Sequence, residues 1–214
     1  MKAVILDMDG VIIDSEPLHQ RVEEELIEEL GGEMTAEDKE AFVGTTDHYM
    51  WSTFKERFNL EESVDEMISN KKERFMDQID RISLVDGFKD TLNLLVDEGY
   101  LIALASSNNR RAVNQIIEQF NLENYLEFAM SGEDVENGKP NPEIFLKTAE
   151  AMKVSPKNCL VIEDAKNGVE AAKRAGMKCI GFDNPNSGKQ DLSEADLIID
   201  HFEDFDLEET KKLF

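Results

Sequence analysis

The strongest constraint on this chain is a series of short apolar runs, each bounded by turn residues and most alternating with helical patterns. They cover Ala3 to Leu6, Leu101 to Ala105, Phe128 to Met130, Leu160 to Ile162, Cys179 to Phe182 and Leu197 to Ile199. Runs of this length suit buried strands, and strands separated by helices point to a parallel sheet in an α/β domain. The intervening helices are legible. Val113, Ile116, Ile117 and Phe120 recur at helical spacing after a cap at Asn108 or Asn109. Asn141-Pro142 places a cap and a first-turn proline ahead of Phe145, Ala149 and Met152, and Gly176 closes the pattern from Val169 to Ala175.

The alternation stops between Glu16 and Ile82, where helical patterns continue without a strand. Val22, Leu26 and Leu30 form an apolar stripe that ends at Gly31-Gly32. Thr35 to Asp38 and Ser63 to Glu66 read as capping boxes. Trp51, Phe54 and Phe58 form a second stripe, and Met67, Lys71, Phe75 and Ile79 lie along a last helix. The pattern describes a helical module, with its own core, inserted between the first strand and the rest of the sheet.

Charge limits the partners. With 23 Lys and Arg against 47 Asp and Glu, the formal net charge is −24. A field of that sign repels nucleic acid and anionic membranes, and any phosphate site must be locally basic. Cys159 and Cys179 lie in apolar runs and are expected as buried, reduced thiols. The apolar stretch in MKAVILDMDG is too short for a signal peptide or a membrane span, and no other segment approaches spanning length. Cytoplasmic residence is the expectation.

Chemistry-bearing residues collect at the carboxyl ends of the expected strands, where open α/β sheets bind ligands. Asp7 and Asp9 stand at i and i+2 at a strand end, so their carboxylates converge, and Gly10 lets the chain turn away. Such a pair fits either a structural role or an acidic phosphate-relay site, with a cation or a retained proton relieving the repulsion. Ser106, Ser107 and Asn108 lead into a helix, as an anion site or as an ordinary cap. Lys139, beside Gly138 and before a helix start, is either a phosphate-neutralising ammonium or a solvated charge. Glu163 and Asp164 follow an apolar strand and suit Mg²⁺, which takes hard oxygen ligands; the other reading makes Asp164 a helix cap. Taken together, these positions describe a phosphoryl-transfer site.

The segments DMDGVIIDSEP, ASSN, KPNP and IEDAKNG, in that order, resemble the motifs of the haloacid-dehalogenase-like hydrolases, and more narrowly the branch of β-phosphoglucomutases and sugar-phosphate phosphatases. The resemblance covers the whole chain. It implies a Rossmann-like parallel-sheet core, residues 1–15 and 83–214, with an all-helical cap domain inserted at 16–82. It further implies Asp7 as the nucleophile that forms an aspartyl-phosphate, and Asp9 as general acid and then base, with its carbonyl on the metal. Ser106, Ser107 and Lys139 would hold the phosphoryl group, and Asp164 and Glu163 would complete the Mg²⁺ site with Asp7. Asp9 argues against dehalogenation, which needs no proton donor for its leaving group.

The cap departs from the branch pattern. β-Phosphoglucomutases carry a basic residue before a cap glycine and an arginine three after it, whereas this chain reads Val43-Gly44-Thr45-Thr46-Asp47. The expected activity is therefore Mg²⁺-dependent hydrolysis of a small sugar or polyol phosphate. A phosphohexose mutase is the second reading, and a non-catalytic phosphate-binding regulator is the third, although no member of the acid set is missing. His19, Thr45 and Thr46 are expected to line the cap; Lys71 or Lys72 could replace the missing charge or be merely solvated, as most helix lysines are. The expected assembly is a monomer or a weak homo-oligomer.

Overall fold

A computed structural model describes residues 1–43 and 45–214; Gly44, the cap glycine of the resemblance, lies outside the described residues. The chain begins with β1 (Ala3–Leu6) and β2 (Ile13–Asp14), then runs through α1 (Glu16–Glu29), α2 (Ala36–Phe42), α3 (Asp47–Phe58) and α4 (Val64–Asp77). It continues with β3 (Ser83–Leu84), α5 (Phe88–Asp97), β4 (Leu101–Ala105), α6 (Arg110–Gln119), β5 (Leu126–Met130) and α7 (Glu143–Ala151). The last elements are β6 (Cys159–Glu163), α8 (Lys166–Arg174), β7 (Lys178–Phe182), β8 (Leu197–Ile199) and α9 (Leu207–Leu213). It divides into two compact units, Met1–Asp14 with Leu84–Phe214, and Ser15–Ser83.

The first unit is built on a six-stranded sheet in the order β5-β4-β1-β6-β7-β8. Every pair is parallel. β1 is central, and the strand order turns back beside it: the chain fills β4 and β5 on one side, then returns to β6 on the other. Ligand crevices of open sheets form at such reversals, outside the carboxyl ends of the strands. Alternation along the strands supplies the core. Ala3, Ile5, Ala103, Ala105 and Val161 join Phe145, Val169 and Ala172 of α7 and α8 in one buried cluster. Fully burying a side chain such as Phe145 contributes about 1.5–3 kcal/mol. Both cysteines are free and buried, and burial pushes both thiols up, that of Cys159 to about 11, which disfavours their thiolate forms.

The second unit is helical. Thr35 and Ser63 make the reciprocal hydrogen bonds of capping boxes with Asp38 and Glu66. α4 packs against α1 and α3. Leu26, Met50, Trp51, Phe54 and Met67 form the core, with Leu30 and Phe58 packed against it. Ile79 lies beyond α4, in a short 3-10 turn.

Some local expectations shift by a residue or two. Asn109, not Asn108, caps α6, accepting from Ala112 N at 2.9 Å. Pro142 occupies the cap position of α7, so the helix proper starts at Glu143, and Asn141 Oδ1 accepts from Glu143 N at 3.0 Å. No helix among the described residues is long and apolar enough to cross a membrane.

Candidate active site

The first strand delivers Asp7 to the site by continuing its pairing one residue further, with Asp7 N donating to Ile162 O at 3.0 Å. That register sets Asp7 beside the Glu163-Asp164 end of β6. The chain then reverses tightly: Gly10 N donates to Ile13 O at 2.8 Å, and Gly10 has φ +73°. Two constraints require glycine there, the left-handed backbone and a lack of room. An added Cβ would lie 2.0 Å from Asp164 Oδ2.

Lys139 bridges the acids. Its ammonium donates to Asp7 Oδ1, to Glu163 Oε1 at 2.8 Å and to Ala105 O at 3.3 Å, and its side chain is only 7 % exposed. These acceptors match the three protons of an ammonium. One carboxylate oxygen each from Asp7, Glu163 and Asp164 lies within 4.8 Å of the others. Burial raises the Asp7 carboxyl to about 7; Lys139 opposes that rise, while Glu163 and Asp9 add to it. Burial likewise raises Asp164, with Glu163 and Asp7 contributing. Burial also disfavours the charge on Lys139, yet Asp7 and Glu163 outweigh it and hold the ammonium above the ordinary lysine range. Three buried carboxylates sharing one ammonium carry more negative charge than the site can hold comfortably. A divalent cation with a preference for hard oxygen donors fits this deficit.

Asp9 is oriented separately, its Oδ2 accepting from Asn108 Nδ2 at 2.5 Å. Ser106 is fully buried, with Oγ accepting from Asn108 N at 3.1 Å. Ser107 is exposed, and its carbonyl abuts Gly132, where a Cβ would lie 2.3 Å away. Asp164 is not a helix cap. α8 starts after Ala165 without a side-chain cap, and Asp164 Oδ2 instead accepts from Ser187 Oγ.

Several supporting contacts had no signal in the sequence. Asn108 was visible as part of an anion site or as a helix cap, not as the partner of Asp9. Asn184 donates to Gly10 O at 2.8 Å, and Gly168 leaves the space that the Glu163 carboxylate fills. Only the Asn-rich DNPNS turn after β7 could have drawn attention to Asn184 and Ser187.

His19, Thr45 and Thr46 lie in the other unit and line a cavity of about 370 Å³ within it. The His19 ring stacks on Phe75 at 4.1 Å. Burial and the charge of Lys71 push this imidazole down to about 3, so it is neutral at pH 7. Thr46 caps α3, and Thr45 Oγ1 donates to Phe42 O at 2.7 Å. Lys71 is buried rather than solvated, and bonds Glu23 at 2.6 Å and Asp47 at 2.5 Å; Lys72 is exposed.

Comparison with known proteins bears on the family and the fold. A family model described as haloacid dehalogenase-like hydrolase matches residues 4–182. A phosphorylated carbohydrates phosphatase from Thermotoga maritima is 31% identical over 183 residues, covering 84% of this chain and 84% of the relative. Hexitol phosphatase B from Escherichia coli K12 is 27% identical over 188 residues, covering 86% and 85%. Among solved structures, a β-phosphoglucomutase from Clostridium difficile aligns with a TM-score of 0.77 at 26% identity, covering 100% of this chain and 96% of the other.

Proposed function

The chain belongs to the haloacid dehalogenase-like hydrolases, and from that membership we propose that it is a Mg²⁺-dependent phosphatase acting on a small sugar or polyol phosphate through Asp7. One observation carries the reading: Lys139 joins Asp7 and Glu163 in a buried cluster of three carboxylates at the carboxyl ends of adjacent strands.

Asp7, Glu163 and Asp164, with the carbonyl of Asp9, would hold Mg²⁺. When bound, the ion supplies positive charge that lets the carboxylates ionise together and that offsets the charge of the phosphoryl oxygens. The remaining chemistry belongs to the chain. An oxygen of ionised Asp7 attacks phosphorus as the P–O bond to the substrate alcohol breaks, and Asp9 gives its proton to that leaving oxygen. Asp9, now a carboxylate, takes a proton from water as the water oxygen attacks the same phosphorus. The bond to Asp7 breaks, and free phosphate leaves. Asn108 holds Asp9 in place for both transfers. Lys139 reaches the phosphoryl group by giving up Ala105 O, the longest of its three contacts, and the Ser106 hydroxyl orients the same oxygens.

The relatives that act on phosphorylated carbohydrates and hexitol phosphates support the substrate class. The mutase reading draws on the solved β-phosphoglucomutase structure. A mutase must grip two phosphates, and so needs a second cationic site. Both lysines that line the cavity of the helical unit are already neutralised: Lys71 by Glu23 and Asp47, and Lys39 by Glu24 at 2.6 Å. That pairing favours simple hydrolysis. The test is release of phosphate from a panel of small phosphorylated metabolites with and without Mg²⁺. Metal-dependent release supports the proposal. No release from any member refutes it, and glucose 6-phosphate formed from β-glucose 1-phosphate faster than free phosphate favours the mutase.

A further inference from the structure

We propose that Ser187 is a positioning residue for Mg²⁺: its hydroxyl fixes the rotation of the Asp164 carboxylate so that this side chain meets the ion in one orientation. The inference rests on the metal reading above, but turns on Ser187, which no motif of the resemblance includes.

The loop after β7 is built to hold that hydroxyl still. Asn184 is buried, and its two ends are both engaged: Nδ2 donates to Gly10 O at 2.8 Å, and Oδ1 accepts from Asn186 N at 2.8 Å. Ser187 N donates to Asn184 O at 3.0 Å, which closes the turn. Asn186 Nδ2 donates to Asp14 Oδ2 at 2.8 Å, and Gln190 joins Ser187 O to the first amide of α8 through bonds of 3.0 and 3.2 Å. The loop is thus anchored both to the turn that follows Asp9 and to the helix that follows Asp164. From that anchored position Ser187 Oγ donates its single proton to Asp164 Oδ2. Gly10 closes the third side, since a Cβ there would lie 2.0 Å from Asp164 Oδ2 and 2.7 Å from Ser187 Oγ.

A carboxylate on a single-bond stem rotates readily unless a partner holds one oxygen. Partners of this kind around metal ligands typically change affinity by about 10–100-fold. Without the Ser187 hydroxyl, Asp164 must find its metal-binding rotation unaided.

The test is Mg²⁺ titrated by calorimetry into the full chain without substrate. Ser187→Ala is expected to weaken the dissociation constant about tenfold, with the circular-dichroism spectrum of the metal-free protein unchanged. A second pair of variants, nearly isosteric with each other, separates the hydroxyl from the volume: Ser187→Thr should keep the parental affinity within about twofold, and Ser187→Val should lose it as alanine does. Parental affinity in both the alanine and valine variants overturns the proposal alone. A parent chain that takes up no Mg²⁺ overturns the metal reading and this inference with it.

Discussion

Gly168→Ala sets two effects against each other inside one helix. Gly168 lies in the first turn of α8, and helix propensity alone makes alanine more stable there by about 1 kcal/mol. An added Cβ, however, would stand 1.6 Å from Glu163 Oε1 and 2.5 Å from Oε2. The Glu163 carboxylate must move, and it then loses the bonds it accepts from Lys139 Nζ at 2.8 Å and Ala165 N at 2.7 Å. Both are charge-assisted and buried, worth about 1.5–3 kcal/mol each. Subtracting the propensity gain leaves a net loss of roughly 2–5 kcal/mol. For a chain of this size that lowers the melting temperature by about 4–20 °C. The assay is thermal unfolding of the metal-free protein by far-UV circular dichroism. Fluorescence of Trp51, the single tryptophan, reports the helical unit and serves as an internal control. An unchanged or raised melting temperature would refute the reasoning, because propensity would then outweigh the Glu163 contacts.

Three further outcomes are expected. Asp9→Asn should slow alkyl phosphates far more than activated aryl phosphates, whose leaving groups need little protonation; equal losses would count against its acid role. Below pH 6.5 the helical unit should lose stability, because His19, held down to about 3 by burial and by Lys71, takes up protons more readily when unfolded. The contribution is complete above pH 6.5 and falls by up to about 1.4 kcal/mol per unit towards pH 3. Urea midpoints followed by Trp51 should therefore drop with acid, and a His19→Phe variant with an equally steep drop would show that another group is responsible. Finally, Phe145→Ala should destabilise the sheet unit by about 3–5 kcal/mol through the cavity it leaves, and a loss under ~1 kcal/mol in denaturant titration would argue against close packing there.

The strands were legible as uninterrupted apolar runs, and Ala3–Leu6, Leu101–Ala105 and Leu197–Ile199 have the bounds read from sequence. The first two are written that way by burial on both faces, whereas Ile198 in the last is exposed. Leu126–Met130 starts two residues earlier than the apolar run, because the charged Glu127 separates Leu126 from Phe128. The acids and Lys139 were legible because each stands at a strand end or a helix start, a position that local pattern marks. Their supporting partners were not. Asn108 meets Asp9 across 99 positions and Asn184 meets Gly10 across 174, and no local period encodes such pairs. The pairing of Lys71 was hidden for the same reason. Helix spacing shows its face, but the acids that neutralise it come from α1 and α3.

The central claim is that Asp7 carries the phosphoryl group during turnover. The direct measurement is an acid quench during turnover, followed by intact-mass and peptide analysis. The parent chain turns over a substrate that the panel identifies, and Asp9→Asn an activated aryl phosphate, with which the adduct still forms but is lost slowly. The account expects a mass gain of one phosphoryl group, mapped within MKAVILDMDG to Asp7, and no gain and no turnover in Asp7→Asn. An adduct on another residue, or turnover that persists in Asp7→Asn, would contradict it.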